Sequence, residues 1–253
     1  MLLGGLQKTT LIDYPGKVAC TVFTIGCNFR CPFCYSSELV LPEKIKKHPK
    51  ISEKEFFQFL KSRKGLIDGV VICGGEPTIH KDLPKFIKKI KKLGFLVKLD
   101  TNGSNPEMLK RLIDEKLVDY VAMDIKAPLG LKSEIRNSKS ETNTKYKIQN
   151  TKYDKTTGVK VDLKKIKKSI EILKSSNIDF EFRTTVVPSI HTKEDIIEIA
   201  KWIGGPKVKC YLQNFRPEKT LNPRFEKIKL YSEEFLKEIQ KEISPFFEIC
   251  QVR

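Results

Sequence analysis

The sequence has no apolar run that is long enough to cross a membrane. A transmembrane helix needs about 20 consecutive apolar residues, and a signal peptide has an apolar core of roughly 7–15 residues. The apolar start of this chain, residues 1–6, gives way at once to Gln7 and Lys8. We therefore expect a cytoplasmic protein without a membrane partner.

The sequence is also poor in histidine. Its three histidines are His48, His80 and His191, and none lies at ligand spacing from a cysteine. A structural zinc site needs four closely placed cysteine or histidine ligands, so zinc is the weaker expectation. Seven cysteines are present, and the odd count without an export signal argues against a disulfide framework. Reduced thiols or metal-bound thiolates are expected instead.

The sequence has few acidic residues relative to basic ones. It contains 48 lysines and arginines but 31 aspartates and glutamates, which gives a formal net charge of +17. Such an excess favours acidic partners, nucleic acid among them. The lysines, however, recur on amphipathic helices, as in residues 85–92, where Phe86 and Ile90 can face the core. A solvated lysine-rich surface therefore explains the charge better than a groove that binds nucleic acid.

Short apolar and β-branched runs alternate with amphipathic stretches along the 253 residues. This alternation predicts repeated βα units around a parallel sheet. We expect an α/β fold, a partial (β/α)6 barrel of the TIM type, in a single domain over residues 1–253. The six expected strands are residues 18–24, 70–73, 95–100, 118–124, 180–187 and 208–213.

Polar residues stand where helix N-caps are expected. Ser52 is followed three residues later by Glu55, which predicts a capping box. The stripe of Leu163, Ile166, Ile170 and Leu173 predicts a helix that faces the core. The other candidate caps are Asn105, Asp162, Thr192 and Ser232.

One segment interrupts the alternation. Between about residues 131 and 160 the chain turns to Ser, Asn, Thr and Lys, and residues 135–139 are echoed in residues 148–152. This composition offers too little apolar surface to offset the entropy of ordering. We expect a flexible insertion after the fourth predicted strand; a lid or a docking arm is the alternative.

Three cysteines, Cys27, Cys31 and Cys34, follow the first predicted strand with the spacing C-x3-C-x2-C. Three thiolates can hold three corners of a 4Fe–4S cluster and leave the fourth iron open to a ligand that is not protein. An open metal position is typical of a catalytic rather than a structural site. The remaining cysteines, expected to be buried core thiols, are Cys20, Cys73, Cys210 and Cys250.

Further polar motifs follow the later strands. Residues 74–78 (GGEPT) come after the second strand, and residues 100–103 (DTNG) come at the end of the third. Residues 124–126 (DIK) end the fourth strand, and Arg183 lies on the fifth. Barrel enzymes build their active sites at the carboxyl ends of their parallel strands. We therefore expect these motifs to meet the three cysteines.

The cysteine spacing, with Phe33 before the last cysteine, and the order of the strand-end motifs resemble the radical S-adenosylmethionine superfamily. The resemblance implies that Cys27, Cys31 and Cys34 hold a catalytic 4Fe–4S cluster beside bound S-adenosylmethionine. It also implies a monovalent cation site at Asp100 and Asp124. The implied cofactor-binding residues are Phe33, Gly74, Gly75, Glu76, Thr101, Asn102, Asp124, Lys126 and Arg183.

Each of these residue types suits the role that the resemblance implies. Glycine lets backbone approach a ligand closely, and Glu76 can accept a hydrogen bond from the ammonium of the methionine moiety. Lys126 and Arg183 would neutralise its carboxylate or contact the ribose. Phe33 can pack against the adenine face.

The opening segment, residues 5–17 (GLQKTTLIDYPGK), is similar to that of the anaerobic ribonucleoside-triphosphate reductase activating proteins in their longer form. The likeness covers nearly all of the chain except residues 131–160. It implies reductive cleavage of S-adenosylmethionine to a 5′-deoxyadenosyl radical, which then generates a glycyl radical on an anaerobic ribonucleotide reductase. A flavodoxin- or ferredoxin-type protein would supply the electron.

Two alternatives stay open. Tyr35 stands where these activases often carry histidine, and a radical enzyme that acts on a small molecule, such as a 7-carboxy-7-deazaguanine synthase, would share the cysteines and residues 74–77. Such an enzyme would need a closed polar pocket. A zinc-containing nucleic-acid-binding protein would account for the positive charge, but a fourth metal ligand is missing.

Overall fold

The computed structural model describes residues 1–129 and 151–253. One eight-stranded sheet forms its centre, and each strand pairs with its neighbours in the sequence. The strands are β1 Leu3–Thr10, β2 Ala19–Thr24, β3 Gly69–Gly74, β4 Leu96–Thr101, β5 Tyr120–Asp124, β6 Asp179–Val186, β7 Gly205–Asn214 and β8 Phe247–Val252.

Helices follow most of the strands. They are α1 Ser37–Val40, α2 Pro42–Lys47, α3 Glu53–Ser62, α4 Leu83–Lys92, α5 Pro106–Asp114, α6 Lys152–Thr157, α7 Leu163–Ser175, α8 Lys193–Ile203 and α9 Glu233–Ile243. Short 3-10 helices lie at Pro77–Ile79, Pro223–Lys227 and Ser244–Phe246. Within the two described ranges, no helix combines the length and the apolar character that a membrane span requires.

The strands β2 to β8 are parallel, and β1 runs antiparallel to β2. In the described chain β1 and β8 are the two ends of the sheet, so the barrel stays open between them. The α/β class and the partial TIM-type barrel are thus confirmed, with the six expected strands as β2 to β7. Parallel strands place all their carboxyl ends on one side, where the site is built.

The two edge strands, β1 and β8, lie outside the six strands that the sequence predicts. Most side chains of β1 are half-buried or exposed, and the strand contains Gly4 and Gly5. No side chain of β8 is fully buried. Both strands lack the buried β-branched run that marks a central parallel strand, and therefore their sequence signal is weak.

The core consists of the buried faces of the helices packed on the sheet. In α4, Phe86, Ile87 and Ile90 are buried while the lysines face solvent, as the amphipathic pattern predicts. In α7, Ile166, Ile170 and Leu173 are likewise buried. The expected caps are present at Ser52, Asn105, Asp162, Thr192 and Ser232.

Residues 151–160, which the sequence assigns to the insertion, belong to the folded body. Thr151 and Asp154 form a capping box at the start of α6, and Tyr153 is completely buried. The expected end of the insertion at residue 160 is therefore wrong, because side-chain capping and one large buried ring stabilise a segment of polar composition. The rest of the expected insertion, up to residue 150, lies outside the described residues.

The cysteines outside the triplet differ in their surroundings. Cys20 and Cys210 are buried, as expected, whereas Cys73 and Cys250 are half-buried. Cys210 and Cys250 lie opposite each other in the β7–β8 ladder. Their separation in the sequence, forty residues, gave no sign of this pairing.

Gly158, directly after α6, is expected to be intolerant of a side chain. Its φ is +68°, and a Cβ would overlap the backbone carbonyl of Arg30. Gly158→Ala should lose about 1–2 kcal/mol from the left-handed backbone and roughly a further 1–3 kcal/mol from the overlap. The free energy of unfolding in urea measures this loss.

Gly65 provides the matched control, because its φ is +78° and no atom lies within 4 Å of its added Cβ. Gly65→Ala should show only the backbone penalty. Equal losses in the two variants would contradict the close packing of α6 against residue 30.

Candidate active site

A cavity of about 310 Å³ opens at the carboxyl ends of the parallel strands. Every residue to which the sequence assigns a site role lines this cavity, although the individual roles stay predictions. These residues are Cys27, Cys31, Phe33, Cys34, Gly74, Gly75, Glu76, Asp100, Thr101, Asn102, Asp124, Lys126 and Arg183.

The three cysteines lie on residues 25–36, here called the cluster loop, which follows β2. The Arg30 guanidinium donates hydrogen bonds to the carbonyl oxygens of Cys27 and Phe29, at 2.6 and 2.7 Å. The Cys34 N–H donates to the Cys31 carbonyl at 3.0 Å. These bonds fold the loop upon itself, so that the cysteine side chains share one cavity.

Distant segments hold the cluster loop from outside. The Arg30 N–H donates to the carbonyl of Thr157, at the end of α6, over 2.8 Å. On the other side, the Leu221 N–H donates to the Cys34 carbonyl at 2.8 Å. The loop therefore depends on residues far along the chain, which spacing alone does not indicate.

Burial raises the pKa of the Cys27 thiol to about 12 and that of Cys31 to about 11, and the nearby Lys126 ammonium partly offsets the rise at Cys31. Burial also raises the pKa of Cys34. Thiolates are the form that binds iron, and the positive charge of a metal favours loss of these protons.

The three thiols fit the donor set of a 4Fe–4S cluster. Each cysteine ligand of such a cluster binds a different iron, so the sulfur atoms need not converge on one point. Indeed, in residues 1–129 and 151–253 no three histidine, cysteine or carboxylate side chains are close enough to hold a single ion. Soft thiolates in a buried setting suit iron–sulfur chemistry.

Gly74 and Gly75 let the loop after β3 pack directly against the cluster loop. The φ of Gly74 is +111°, and a Cβ there would overlap the backbone of Thr24. A Cβ on Gly75 would overlap the carbonyl of Gly26. The expectation that these glycines admit a ligand stays a prediction; the observed close approach is between two protein backbones.

Glu76 is 1% exposed and its carboxylate joins the ends of β3 and β4. One oxygen, Oε1, accepts hydrogen bonds from Thr78 and from the Thr101 hydroxyl, the latter at 2.7 Å. The other, Oε2, accepts from the Asn102 N–H at 2.6 Å. Burial raises the pKa of Glu76, and these hydrogen bonds oppose the rise. Glu76 lines the cavity, and its Oε2, with a single hydrogen bond among the described residues, retains lone-pair capacity.

A chain of alternating charges, here called the charge chain, runs from the buried Lys98 to residues that line the cavity. Lys98 bonds Asp100 at 2.5 Å, and Arg183 bonds both Asp100 and Asp124 at 2.9 Å. Lys126 bonds the second oxygen of Asp124 at 2.9 Å. Burial alone would raise the pKa of both carboxyl groups, but the neighbouring cations hold it below the usual range.

The monovalent cation site at Asp100 and Asp124 remains a prediction. All four carboxylate oxygens already contact an ammonium or a guanidinium group. A bound cation would lie beside the Lys98, Arg183 or Lys126 groups that already contact these oxygens, and repulsion between like charges opposes such binding.

Lys98 and His191 are site-supporting residues that the sequence motifs miss. Lys98 is 1% exposed and lies two residues before Asp100 on β4, hence on the same face of the strand. A lysine inside an apolar strand was the available signal. His191 accepts a hydrogen bond from the Val187 N–H at Nδ1, so its Nε2 carries the proton and donates to the Lys126 carbonyl at 2.8 Å.

Tyr35 packs on the segment that follows β7. Its ring stacks on Phe215 with the centroids 6.0 Å apart, and its hydroxyl accepts a hydrogen bond from the Arg216 N–H at 2.7 Å. The side chain forms part of the cavity wall. Burial raises the pKa of Tyr35, so it stays neutral at physiological pH.

The sequence model that represents the radical SAM superfamily matches residues 21–203 of this chain. The matched range contains the cluster loop, Glu76, Lys126 and Arg183. The chain therefore belongs to the radical SAM superfamily. Membership implies a 4Fe–4S cluster and S-adenosylmethionine as cofactors.

Two curated relatives illustrate the similarity. The chain is 32% identical over its 253 residues to a protein of Methanocaldococcus jannaschii that is provisionally named a glycyl-radical enzyme activating enzyme, and it covers 95% of that protein. It is 33% identical over 81 residues to the 7-carboxy-7-deazaguanine synthase of Aquifex aeolicus. That second match spans 31% of this chain and 33% of the synthase.

Among solved structures, Streptococcus suis SuiB bound to S-adenosylmethionine matches with a TM-score of 0.57 and 16% identity. The match covers 91% of this chain and 51% of the SuiB chain. This likeness establishes the shared fold, and the chain corresponds to about half of the larger protein.

Replacing Cys27, Cys31 or Cys34 with alanine is expected to abolish iron binding. After anaerobic reconstitution the wild-type protein should hold about four irons per chain, as measured by iron and sulfide analysis. Cys20→Ala serves as the control, because Cys20 is buried and does not line the cavity. It should keep its iron at a packing cost of about 1–2 kcal/mol. Zinc alone in the wild-type protein would contradict the cluster assignment.

His191 is expected to make stability fall on mild acidification. Burial lowers the pKa of His191 from 6.5 to about 4, so the unfolded chain binds a proton in this interval that the folded one resists. The contribution of the neutral, buried His191 to the free energy of unfolding is complete above pH 6.5 and is lost as the pH falls toward 4. Urea unfolding at pH 7.5 and pH 5 should show a smaller difference in His191→Gln than in the wild type. An identical pH dependence would contradict a neutral buried imidazole.

Proposed function

We propose that this protein is a glycyl-radical-enzyme activase whose partner is an anaerobic ribonucleotide reductase. It would act in the cytoplasm with an electron from a flavodoxin- or ferredoxin-type protein. The observation that carries the proposal is the meeting of the three cysteines, Glu76 and Arg183 in one cavity. The full-length similarity to the M. jannaschii activating enzyme supports the class of substrate.

The charged residues of the cavity suit the methionine end of S-adenosylmethionine. The free lone-pair capacity of Glu76 Oε2 can accept from its ammonium group. The charge chain contains three cations and two carboxylates, so it has a net positive charge with which Lys126 or Arg183 can attract the carboxylate.

When bound, the cluster and S-adenosylmethionine supply a carbon-centred radical by one-electron cleavage of the sulfonium. The task of the chain is to orient the cofactor and to keep water away. Phe29 and Phe33 line the cavity and are each 4% exposed, which gives its cysteine side an apolar wall. A glycine Cα of the partner would then lose its hydrogen atom to the radical.

The second half of the activase-like opening segment, residues 11–17, lies at the end of the barrel opposite the cavity, whereas residues 5–10 belong to β1. Residues 11–18 connect β1 to β2 at the amino end of β2, away from the cavity. Tyr14 is buried there against Tyr120, with ring centroids 6.0 Å apart, and Asp13 accepts a hydrogen bond from the Thr21 hydroxyl. The similarity of this segment to the activases supports the proposal. Its residues take part in packing and do not line the cavity.

A small-molecule radical enzyme remains the second candidate. The local similarity to 7-carboxy-7-deazaguanine synthase favours it. The similarity to the activating enzyme extends over the whole chain, however, and includes segments outside the shared motifs. The zinc-containing nucleic-acid-binding protein finds no support in the superfamily match.

Reduced protein with S-adenosylmethionine is expected to generate a glycyl radical on the anaerobic reductase of the same organism. The radical should appear as an EPR doublet, and deuterium at the glycine Cα should appear in 5′-deoxyadenosine. The Cys31→Ala variant, which lacks a cluster ligand, is the negative control. A reductase that stays without a radical while a purine or pterin is consumed with label transfer would reject the activase assignment.

A further inference from the structure

One wall of the cavity has no role in the cofactor contacts described above. The superfamily motifs occupy the ends of β3, β4 and β5 and the middle of β6. Thr185 lies two residues beyond Arg183 on β6 and therefore on the same face of the strand. Gln213 is its register partner on β7, and both residues line the cavity.

This wall is uncharged and has free hydrogen-bonding capacity. Thr185 and Gln213 are half-buried, and neither side chain forms a hydrogen bond to another part of the chain that the structure describes. The Gln213 carboxamide contains both a donor and an acceptor, like a peptide unit, and the Thr185 hydroxyl adds one group of either kind. Tyr35 contributes a neutral ring to the same cavity.

The Gln213 side chain is reached through the cavity. Its backbone neighbours are paired, because the Arg253 N–H donates to the Leu212 carbonyl at 2.8 Å and the Arg253 carbonyl accepts from the Asn214 N–H at 3.3 Å. The side chain nevertheless lines the cavity at the carboxyl end of β7. An extended segment that enters the cavity could therefore reach Gln213.

Size and charge select the class of occupant. A cavity of about 310 Å³ lies at the low end of the roughly 300–1,000 Å³ typical of ligand pockets, and S-adenosylmethionine must share it. A narrow chain therefore fits better than a second bulky heterocycle. The cavity-lining cations, Lys126 and Arg183, are the groups proposed above to attract the carboxylate of S-adenosylmethionine, and this wall itself contains no charged side chain that could pair with an anionic substrate.

We propose that Gln213 and Thr185 form a subsite that hydrogen-bonds one peptide unit of an extended, glycine-containing substrate segment. The ring of Tyr35 would border this segment on the cluster-loop side. The inference rests on the proposed activase function, because it names the substrate class of the same cavity. It adds two residues that the sequence motifs do not mark.

Acetylated and amidated pentaglycine is the probe, because it presents peptide units without side chains. The reconstituted protein is loaded with S-adenosylmethionine under oxidising, anaerobic conditions, and binding is followed by saturation-transfer NMR. Wild-type protein should bind the probe saturably. Gln213→Leu and Thr185→Val should each weaken binding about tenfold, as expected for the loss of a hydrogen bond to a half-buried group.

Gln251→Leu is the matched control, since Gln251 is exposed on β8 and does not line the cavity. It should bind pentaglycine like the wild type, and all three variants should keep their affinity for S-adenosylmethionine. Absent binding to the wild type, unchanged binding to Gln213→Leu, or loss of cofactor affinity in that variant would each overturn the subsite.

The outcomes separate the subsite from the proposed function. If pentaglycine binds through Gln213 but the reductase stays without a radical, the subsite stands and the reductase assignment fails. If a purine or pterin displaces pentaglycine and is consumed with label transfer, the site takes a small molecule and the peptide proposal is overturned.

Discussion

The two bonds that Arg183 makes to Asp100 and Asp124 are the interaction on which the site depends. They join β4, β5 and β6 at the level of the cavity, and Lys98 and Lys126 extend them at either end. Removing one partner of a buried pair leaves an uncompensated charge, which costs about 3–5 kcal/mol. The same groups that present positive charge to a ligand therefore also fix the relative positions of three strands.

A second constraint acts between backbones. The loop after β3 packs so closely on the cluster loop that Gly74 and Gly75 have no room for a side chain, while Glu76 ties this loop to the end of β4. The cysteines thus receive their positions from contacts with neighbouring loops. The cavity is formed jointly by the carboxyl ends of six strands, β2 to β7, so no single motif could build it.

Much of this arrangement could be predicted from the sequence, because buried parallel strands leave a strong apolar signal and the polar motifs follow them at regular places. β2 to β7 and the meeting of the cysteines with Glu76, Lys126 and Arg183 were predictable for that reason. β1 and β8 are half-exposed and lack the signal. The pairing of Cys210 with Cys250 and the support of Lys126 by His191 arise from contacts across the fold, which spacing does not encode. In α6, the burial of Tyr153 outweighed a polar composition.

The cluster loop forms hydrogen bonds with residues that come much later in the chain, and this order has a consequence for biosynthesis. Each strand pairs with its neighbour in the sequence, so the sheet can grow in step with the emerging chain. The cluster loop follows the second strand, yet its outer contacts come from Thr157 and, later still, from Leu221 and Asn222. A nascent chain that already contains all three cysteines would still lack the later segments that hydrogen-bond to the cluster loop. Maturation with iron and sulfide is thus best timed after translation has passed β7, when premature metal capture by a half-built loop is no longer a hazard.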